Sequence, residues 1–227
     1  MSRIQGVLFD LDGTLVDSAR DFIAITQAMR SEQGLAPLNQ ERINGFRQVV
    51  SQGAQAMVNY GFNLAPDDAQ AALLKLDFLQ RYQTQFAQHS TLFAGMPEVL
   101  QFLEKMQVPW GVATNKPALF AEPLMQALQL DQRCAALLCP EHVEKSKPAP
   151  DMLYKAAEQL ALSPEKIVYI GDDLRDIQAA QAADMPSIAV TYGYHAASDN
   201  PQLWGANQVV ASPEALLNLL EQVICGC

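Results

Sequence analysis

The fold is indicated most directly by the stretch Val7-Leu8-Phe9-Asp10-Leu11-Asp12-Gly13-Thr14-Leu15. Its apolar start predicts a buried β-strand, and two carboxylates come at the carboxyl end of that strand. Ligands bind at this end of the strands in open α/β sheets. Because side chains two residues apart point the same way on a strand, Asp10 and Asp12 can face one pocket. Two crowded carboxylates repel each other, so the pair indicates a cation, a shared proton or a solvated setting.

Short apolar strands alternate with helical patterns along the rest of the chain. Strands are predicted over 6–9, 110–113, 136–139, 167–170, 187–190 and 208–210, and helices over 117–129, 151–160, 176–183 and 213–224. This alternation predicts an α/β protein with a doubly wound parallel sheet, right-handed crossovers and helices on both faces.

The first crossover is far longer than the dozen or more residues that such a connection needs. Its excess, residues 18–91, shows apolar residues at helical spacing, and helices are expected over 21–31, 41–60 and 67–87. We interpret this segment as a small all-α cap inserted after the first strand, with a core formed by residues 1–17 and 92–227. Because the insertion leaves the core beside the paired aspartates, it is positioned to act as a lid over them.

Composition argues against two classes of partner. The chain has a formal net charge of −10, whereas a nucleic-acid surface needs clustered basic residues. No apolar run approaches the ~20 residues required to span a bilayer, and no secretory signal pattern is visible at the start of the chain. We therefore expect a cytosolic protein that binds neither nucleic acid nor membranes.

Three further polar segments follow predicted strands or lie close to them, namely Thr114-Asn115, Lys147-Pro148 and Gly171-Asp172-Asp173-Leu174-Arg175-Asp176. In a doubly wound sheet they would meet Asp10 and Asp12 at one edge. Chemistry on a phosphomonoester needs such groups, because a divalent cation held by oxygens and a lysine offset the repulsion between a carboxylate and the substrate dianion.

In this order and spacing, the four segments resemble the four motifs of the haloacid-dehalogenase-like phosphatases. The helical insertion resembles the small cap of the phosphoglycolate-phosphatase-like branch of that superfamily. The resemblance implies a Rossmann-like core and a Mg²⁺-dependent phosphomonoesterase. It further implies that Asp10 is a nucleophile that forms an aspartyl-phosphate. Asp12 would be the general acid for the leaving group and then the general base for water.

The resemblance also implies the remaining roles at the site. Mg²⁺ would be held by the Asp10 carboxylate, the Asp12 carbonyl and Asp172, while Asp173 and Asp176 would support the metal indirectly or through water.

The substrate would be held from two sides. The phosphate would be gripped by Thr114, Asn115 and Lys147. Specificity is expected from a glycine-containing loop of the cap, through Ser51, Gln52, Gly53 and Gln55.

Two further stretches, Trp110-Gly111-Val112-Ala113-Thr114-Asn115-Lys116-Pro117 and Cys139-Pro140-Glu141-His142-Val143, resemble a narrower group of these phosphatases. That group acts on N-acetylmuramic acid 6-phosphate in the recycling of cell-wall peptidoglycan. Phosphoglycolate is the alternative substrate. Gln52 and Gln55 favour the sugar, since a sugar needs neutral hydrogen-bond partners, and Gln55 stands where phosphoglycolate-type relatives often carry Arg.

Three other functions are disfavoured. A signalling receiver domain also surrounds a phosphorylated Asp with acids, Thr and Lys, but it is about half as long and lacks a large insertion. Unlike a hydrolase, it would not release phosphate repeatedly. A sugar phosphomutase of the same superfamily would depend on a bisphosphate, and a metal-free dehalogenase would not need Asp12-Gly13-Thr14.

Overall fold

The computed structural model describes residues 4–196 and 198–226 of the chain. In chain order, its strands are β1 Gly6–Phe9, β2 Val16–Asp17, β3 Thr91–Leu92, β4 Trp110–Ala113, β5 Ala136–Leu138, β6 Ile167–Gly171, β7 Ser187–Val190 and β8 Gln208–Val210. Its α-helices are α1 Ala19–Glu32, α2 Gln40–Arg47, α3 Ala54–Phe62, α4 Ala69–Thr84, α5 Met96–Lys105, α6 Ala118–Ala127, α7 Asp151–Leu160, α8 Leu174–Ala182 and α9 Pro213–Cys225.

The main sheet has six strands in the order β5-β4-β1-β6-β7-β8. All its neighbouring strands run parallel. The chain winds from β1 outward to β5 and then returns to build the other half from β6. The predicted doubly wound α/β sheet is therefore confirmed, and β1 lies at its centre, which places the residues that follow β1 where the two halves diverge.

Alternation along β1 explains how helices cover both faces of the sheet. Val7 and Phe9 belong to one buried cluster that α5, α6 and α9 complete. Leu8 points to the opposite face and packs in a second cluster with residues of α7 and α8. Burial on both sides makes the strand a continuous apolar run, and this is the pattern expected for a central parallel strand.

The segment between β2 and β3 is helical, as expected, and carries α1 to α4. The prediction of one helix over 41–60 is wrong, because α2 ends at Arg47, a short 3₁₀ turn covers Val50–Gln52, and α3 begins at Ala54. The break falls at Gly53, whose φ of 88° is a conformation that residues with a Cβ rarely adopt. The loop at this break turns toward the core.

The helices of the insertion share a hydrophobic cluster that includes Phe22, Phe46 and Phe78. At their base, β2 and β3 form an antiparallel pair that joins Val16 to Leu92. These two short strands were not predicted, since two residues are too few to show a period. The pair holds the two connections to the insertion side by side. Among the described residues, no helix combines the length and apolar character that crossing a membrane requires.

Candidate active site

The carboxyl ends of the central strands carry the polar segments that the sequence singled out. The Asp10 N–H donates to the Ile170 carbonyl at 2.8 Å, and the Thr114 N–H donates to the Leu138 carbonyl at 2.9 Å. Sheet-like backbone bonding therefore continues one residue past β1 and β4. This bonding brings both residues to the same edge of the sheet.

The turn after β1 is shaped by its contact with Asp172. Gly13 has a φ of 90°, and a Cβ built there would overlap Asp172 Oδ2. Glycine is thus required both by the backbone angle and by the close approach. The neighbouring Thr14 hydroxyl donates to Asp172 Oδ1 at 2.9 Å. The Gly-Thr pair of the first motif accordingly positions the aspartate of the fourth.

Three buried carboxylates lie together at this edge. Asp10, Asp172 and Asp176 each place one oxygen within 4.8 Å of the others. Burial raises the pKa of Asp10 to about 6. The charge of Lys147 opposes this rise, whereas repulsion from Asp176 adds to it. Burial, together with the charges of Asp10 and Asp176, raises the pKa of Asp172 well above its usual range. A cluster of crowded oxygen donors is suited to a hard divalent cation, which relieves this repulsion.

Lys147 supplies positive charge to the same cluster. Its Nζ lies 2.8 Å from Asp10 Oδ1 and 2.7 Å from Asp176 Oδ1. It also donates to the Tyr169 hydroxyl at 2.8 Å and to the Ala113 carbonyl at 3.0 Å. Burial lowers the pKa of this ammonium, but the two carboxylates outweigh burial and raise it. Lys147 therefore stays charged and is held by four acceptors.

Asn115 positions the segment that carries Lys147. Its side-chain Nδ2 donates to the Lys147 carbonyl at 3.0 Å, and the Lys147 N–H donates to Asn115 Oδ1 at 3.1 Å. The Thr114 hydroxyl accepts from the Lys116 N–H at 3.2 Å. Thr114, Asn115 and Lys147 thus meet at the cavity as the sequence predicted.

The first turn of α8 explains two of the remaining acids. Asp173 caps the helix by accepting from the Arg175 N–H at 2.9 Å, and Asp176 Oδ2 accepts from the Asp173 N–H at 3.0 Å. This reciprocal arrangement is a capping box. The Arg175 side chain binds Asp173 and also donates to the Ser51 carbonyl at 2.7 Å. Arg175, to which the sequence assigned no role, connects the core to the insertion.

A cavity of about 310 Å³ lies between this edge and the insertion. Its floor contains Asp10, Asp12 and Lys147. The wall that the insertion contributes is mostly apolar: Phe22, Val50, Ala54, Met57, Phe78, Leu79 and Tyr82. The site therefore combines an ionic floor with an apolar wall.

The loop expected to confer specificity faces this cavity only in part. Ser51 and Gly53 line the cavity. Gln52 borders a separate groove on the insertion, and Gln55 donates to Asn59 one helical turn further along α3 at 2.9 Å. The expectation that both glutamines face a substrate does not match this arrangement, because Gln55 is a helix residue paired at i,i+4.

Lys116 is a cavity residue to which the sequence assigned no role. Its Nζ lies 3.0 and 3.2 Å from the two oxygens of Asp12. Its position directly after Thr114-Asn115 was the signal in the sequence, but the spacing of a motif does not indicate which acid a neighbouring lysine will reach.

Comparison with known proteins agrees with this geometry. The family model described as haloacid dehalogenase-like hydrolase matches residues 7–190. The N-acetylmuramic acid 6-phosphate phosphatase of Pseudomonas aeruginosa is 47% identical over 225 residues, which cover 99% of this chain and 98% of that protein. A phosphoglycolate phosphatase of Xanthomonas campestris is 41% identical over 212 residues, covering 93% of this chain and 94% of its own.

Among solved structures, a predicted phosphoglycolate phosphatase from Haemophilus somnus has a TM-score of 0.80 at 23% identity. The match covers 96% of this chain and 99% of that one. At this identity the likeness concerns the fold alone. From the family match and the curated relatives together, the chain belongs to the haloacid dehalogenase-like hydrolase family and is a phosphatase within it.

Proposed function

We propose that this phosphatase is a Mg²⁺-dependent phosphomonoesterase that works through a covalent aspartyl-phosphate. The observation that carries the proposal is the meeting of Asp10, Asp172 and Lys147 at one buried sheet edge. A carboxylate can approach a phosphate dianion only where nearby positive charge offsets the repulsion.

The donor set fits Mg²⁺, which prefers oxygen ligands. Lys147 already binds one oxygen of Asp10 and one of Asp176. Asp10 and Asp172 would therefore hold the ion together with the Asp12 carbonyl, while Asp176 would support Lys147. When bound, Mg²⁺ would neutralise the carboxylates and polarise a phosphoryl oxygen.

The protein's own residues would carry the two chemical steps. Asp10 attacks phosphorus, the bond from phosphorus to the ester oxygen breaks, and Asp12 gives that oxygen its proton. Asp12 then takes a proton from the water that hydrolyses the aspartyl-phosphate. Thr114 and Lys147 hold the phosphoryl oxygens through both steps.

Residues 18–91 would act as the cap over a core of residues 1–17 and 92–227. The contact of Arg175 with the Ser51 carbonyl supports this role, because it ties the cap loop to the edge of the sheet. The cap would shield the reaction from bulk water and bring its apolar wall against the substrate.

We propose N-acetylmuramic acid 6-phosphate as the substrate, in the cytoplasmic recycling of peptidoglycan sugars. The similarity to the Pseudomonas aeruginosa enzyme supports this choice. The apolar wall supports it too, since the substrate's acetyl and lactyl methyl groups can pack there, whereas phosphoglycolate has no methyl group. The cavity of about 310 Å³ is within the usual range for small-molecule sites.

A phosphate-release assay over a panel of substrates tests this function. With Mg²⁺ present, N-acetylmuramic acid 6-phosphate should exceed phosphoglycolate and common hexose phosphates in kcat/KM by about tenfold or more. A preference for phosphoglycolate would select the alternative substrate. Failure to turn over any of them would mean that the substrate is a phosphate ester outside this panel, and a requirement for a bisphosphate would point to a mutase.

The metal proposal makes a prediction about stability. Wild-type protein should melt at a higher temperature with Mg²⁺, because a ligand at about 100 times its Kd stabilises by about 2.7 kcal/mol. Asp172→Asn removes one of the crowded buried carboxylates but also one of the two oxygens that accept from Thr14 and from the Tyr194 N–H, so its melting temperature in chelator should stay within about a few °C of wild type. The variant should also lose the response to Mg²⁺. Thermal unfolding with chelator and with millimolar Mg²⁺ measures both effects, and an undiminished response in the variant would exclude Asp172 as a ligand.

A further inference from the structure

Tyr82 presents a buried hydroxyl to the cavity. The residue is 2% exposed, lies near the end of α4 and lines the cavity. No well-aligned hydrogen bond reaches its hydroxyl oxygen within the described residues. The Lys116 ammonium lies close to that oxygen. A buried hydroxyl without a partner is costly. An atom of the substrate is the partner that the cavity can supply.

Lys116 lies beside this hydroxyl and has donor capacity to spare. Its Nζ is 4.7 Å from the Tyr82 ring centroid and 5.0 Å from that of Phe22. An ammonium has three N–H groups, and in the part of the chain that the structure describes, its well-aligned hydrogen bonds go to the Asp12 carboxylate.

The other two cations that line the cavity in the described part of the chain are committed elsewhere. Lys147, which binds Asp10 and three other acceptors, is the cation already assigned to the phosphoryl group in the proposed function. Arg175 is held by Asp173 and the Ser51 carbonyl. Lys116 is accordingly the cation best able to bind an additional anionic group.

The position of Lys116 indicates which part of a substrate it would meet. It touches Asp12, the residue proposed to protonate the leaving oxygen, whereas the phosphoryl group belongs with Asp10 and Lys147. The aromatic rings around Lys116 limit water, and this strengthens any charged hydrogen bond formed there.

We infer that Lys116 and Tyr82 form a binding site for a carboxylate on the leaving group of the substrate. The ammonium and the phenol hydroxyl would donate to the carboxylate oxygens. The inference rests on the proposed function, and a carboxylate is the group that its two candidate substrates share. Lys116 comes from the core and Tyr82 from the insertion, so the site is complete only when the insertion lies against the core.

Two pairs of substrates test the inference, because each pair differs in the carboxylate. N-acetylglucosamine 6-phosphate lacks the whole lactyl group of N-acetylmuramic acid 6-phosphate, its carboxylate and its methyl group together, whereas ethyl phosphate has a methyl group in place of the carboxylate of phosphoglycolate. The quantity measured is the ratio of kcat/KM within a pair. If the loss of Lys116 impairs Asp12 in general, kcat/KM falls equally for both substrates of a pair, and the effect cancels in this ratio.

Lys116→Met should lower the ratio in one pair by about 10- to 100-fold, as expected for the loss of a hydrogen bond to a charged group. Tyr82→Phe, which keeps the ring and removes the hydroxyl, should lower it by about 3- to 10-fold. The pair whose ratio falls identifies the carboxylate that binds. Lys145→Met, a change at an exposed lysine, should leave both ratios as in wild type.

An unchanged ratio in both variants would overturn the inference and leave Lys116 with a role on Asp12 alone. Melting temperatures show whether each variant folds. If Lys116→Met does not fold, the substrate ratios of Tyr82→Phe alone test the inference. The proposed function fails separately, and the inference with it, if wild-type protein hydrolyses neither carboxylate substrate.

Discussion

Asp10→Asn is expected to lower phosphatase turnover by about four orders of magnitude or more, as losing a nucleophile does in other hydrolases. The amide is almost the same size as the carboxylate but cannot attack phosphorus. The fold should persist, because Lys147 retains Asp176 and two neutral acceptors. Phosphate release from N-acetylmuramic acid 6-phosphate and from an aryl phosphate, both with Mg²⁺, measures the loss.

Stability adds a second readout for this variant. The pKa of Asp10 is raised to about 6, so the folded protein holds its proton more tightly than the unfolded chain, and its ionised form opposes folding at neutral pH. Without Mg²⁺, Asp10→Asn should therefore melt at or above the wild-type temperature. Asp67→Asn, at an exposed aspartate, is the matched control and should change neither property. Activity of Asp10→Asn within tenfold of wild type would exclude Asp10 as the nucleophile.

Lys147→Met should be the most destabilising of these substitutions. The Lys147 side chain is 3% exposed and bridges Asp10 and Asp176. Removing the cation leaves two buried carboxylates without their partner, which costs about 3–5 kcal/mol. For a chain of this size, the melting temperature should fall by roughly 6–20 °C. Thermal or denaturant unfolding in chelator measures this loss.

The loss of stability in Lys147→Met should depend on pH and on the Asp10 carboxylate. Without the lysine, the pKa of Asp10 should rise further. The difference in stability between Lys147→Met and wild type should therefore shrink as the pH falls toward about 5, because Asp10 takes up a proton. The double variant Lys147→Met/Asp10→Asn should recover part of the stability, and Lys145→Met should lose none. A fall of less than about 2 °C for Lys147→Met would mean that the lysine does not serve as the counter-charge.

Several elements were predicted from the sequence with their bounds. The strands Trp110–Ala113 and Ser187–Val190 and the helix Asp151–Leu160 are observed as expected. Buried parallel strands are short apolar runs between polar turns, and an amphipathic helix repeats its apolar face every three or four residues. Such patterns depend on neighbours in the chain, so they can be recognised without the rest of the molecule.

Other elements depended on backbone geometry that a hydrophobic pattern does not show. The apolar spacing continues across Gly53, yet the backbone turns there and separates α2 from α3. This turn lets the insertion contact the core, since it places the Ser51 carbonyl 2.7 Å from Arg175 Nη2. The apolar pattern places Tyr169 in a strand and does not show that its hydroxyl is one of the acceptors of Lys147.

The sequence alone predicts the parallel sheet, the helical insertion and the order in which the polar segments follow their strands. Hydrophobic periodicity and turn residues carry that information locally. The partners of the polar groups emerged only in the folded molecule. Asp12 binds Lys116 and Asp172 binds Thr14. The Tyr82 hydroxyl has no well-aligned hydrogen bond among the residues that the structure describes. These contacts join strand ends and helices that are distant in the chain, and side-chain packing in three dimensions decides which of them meet.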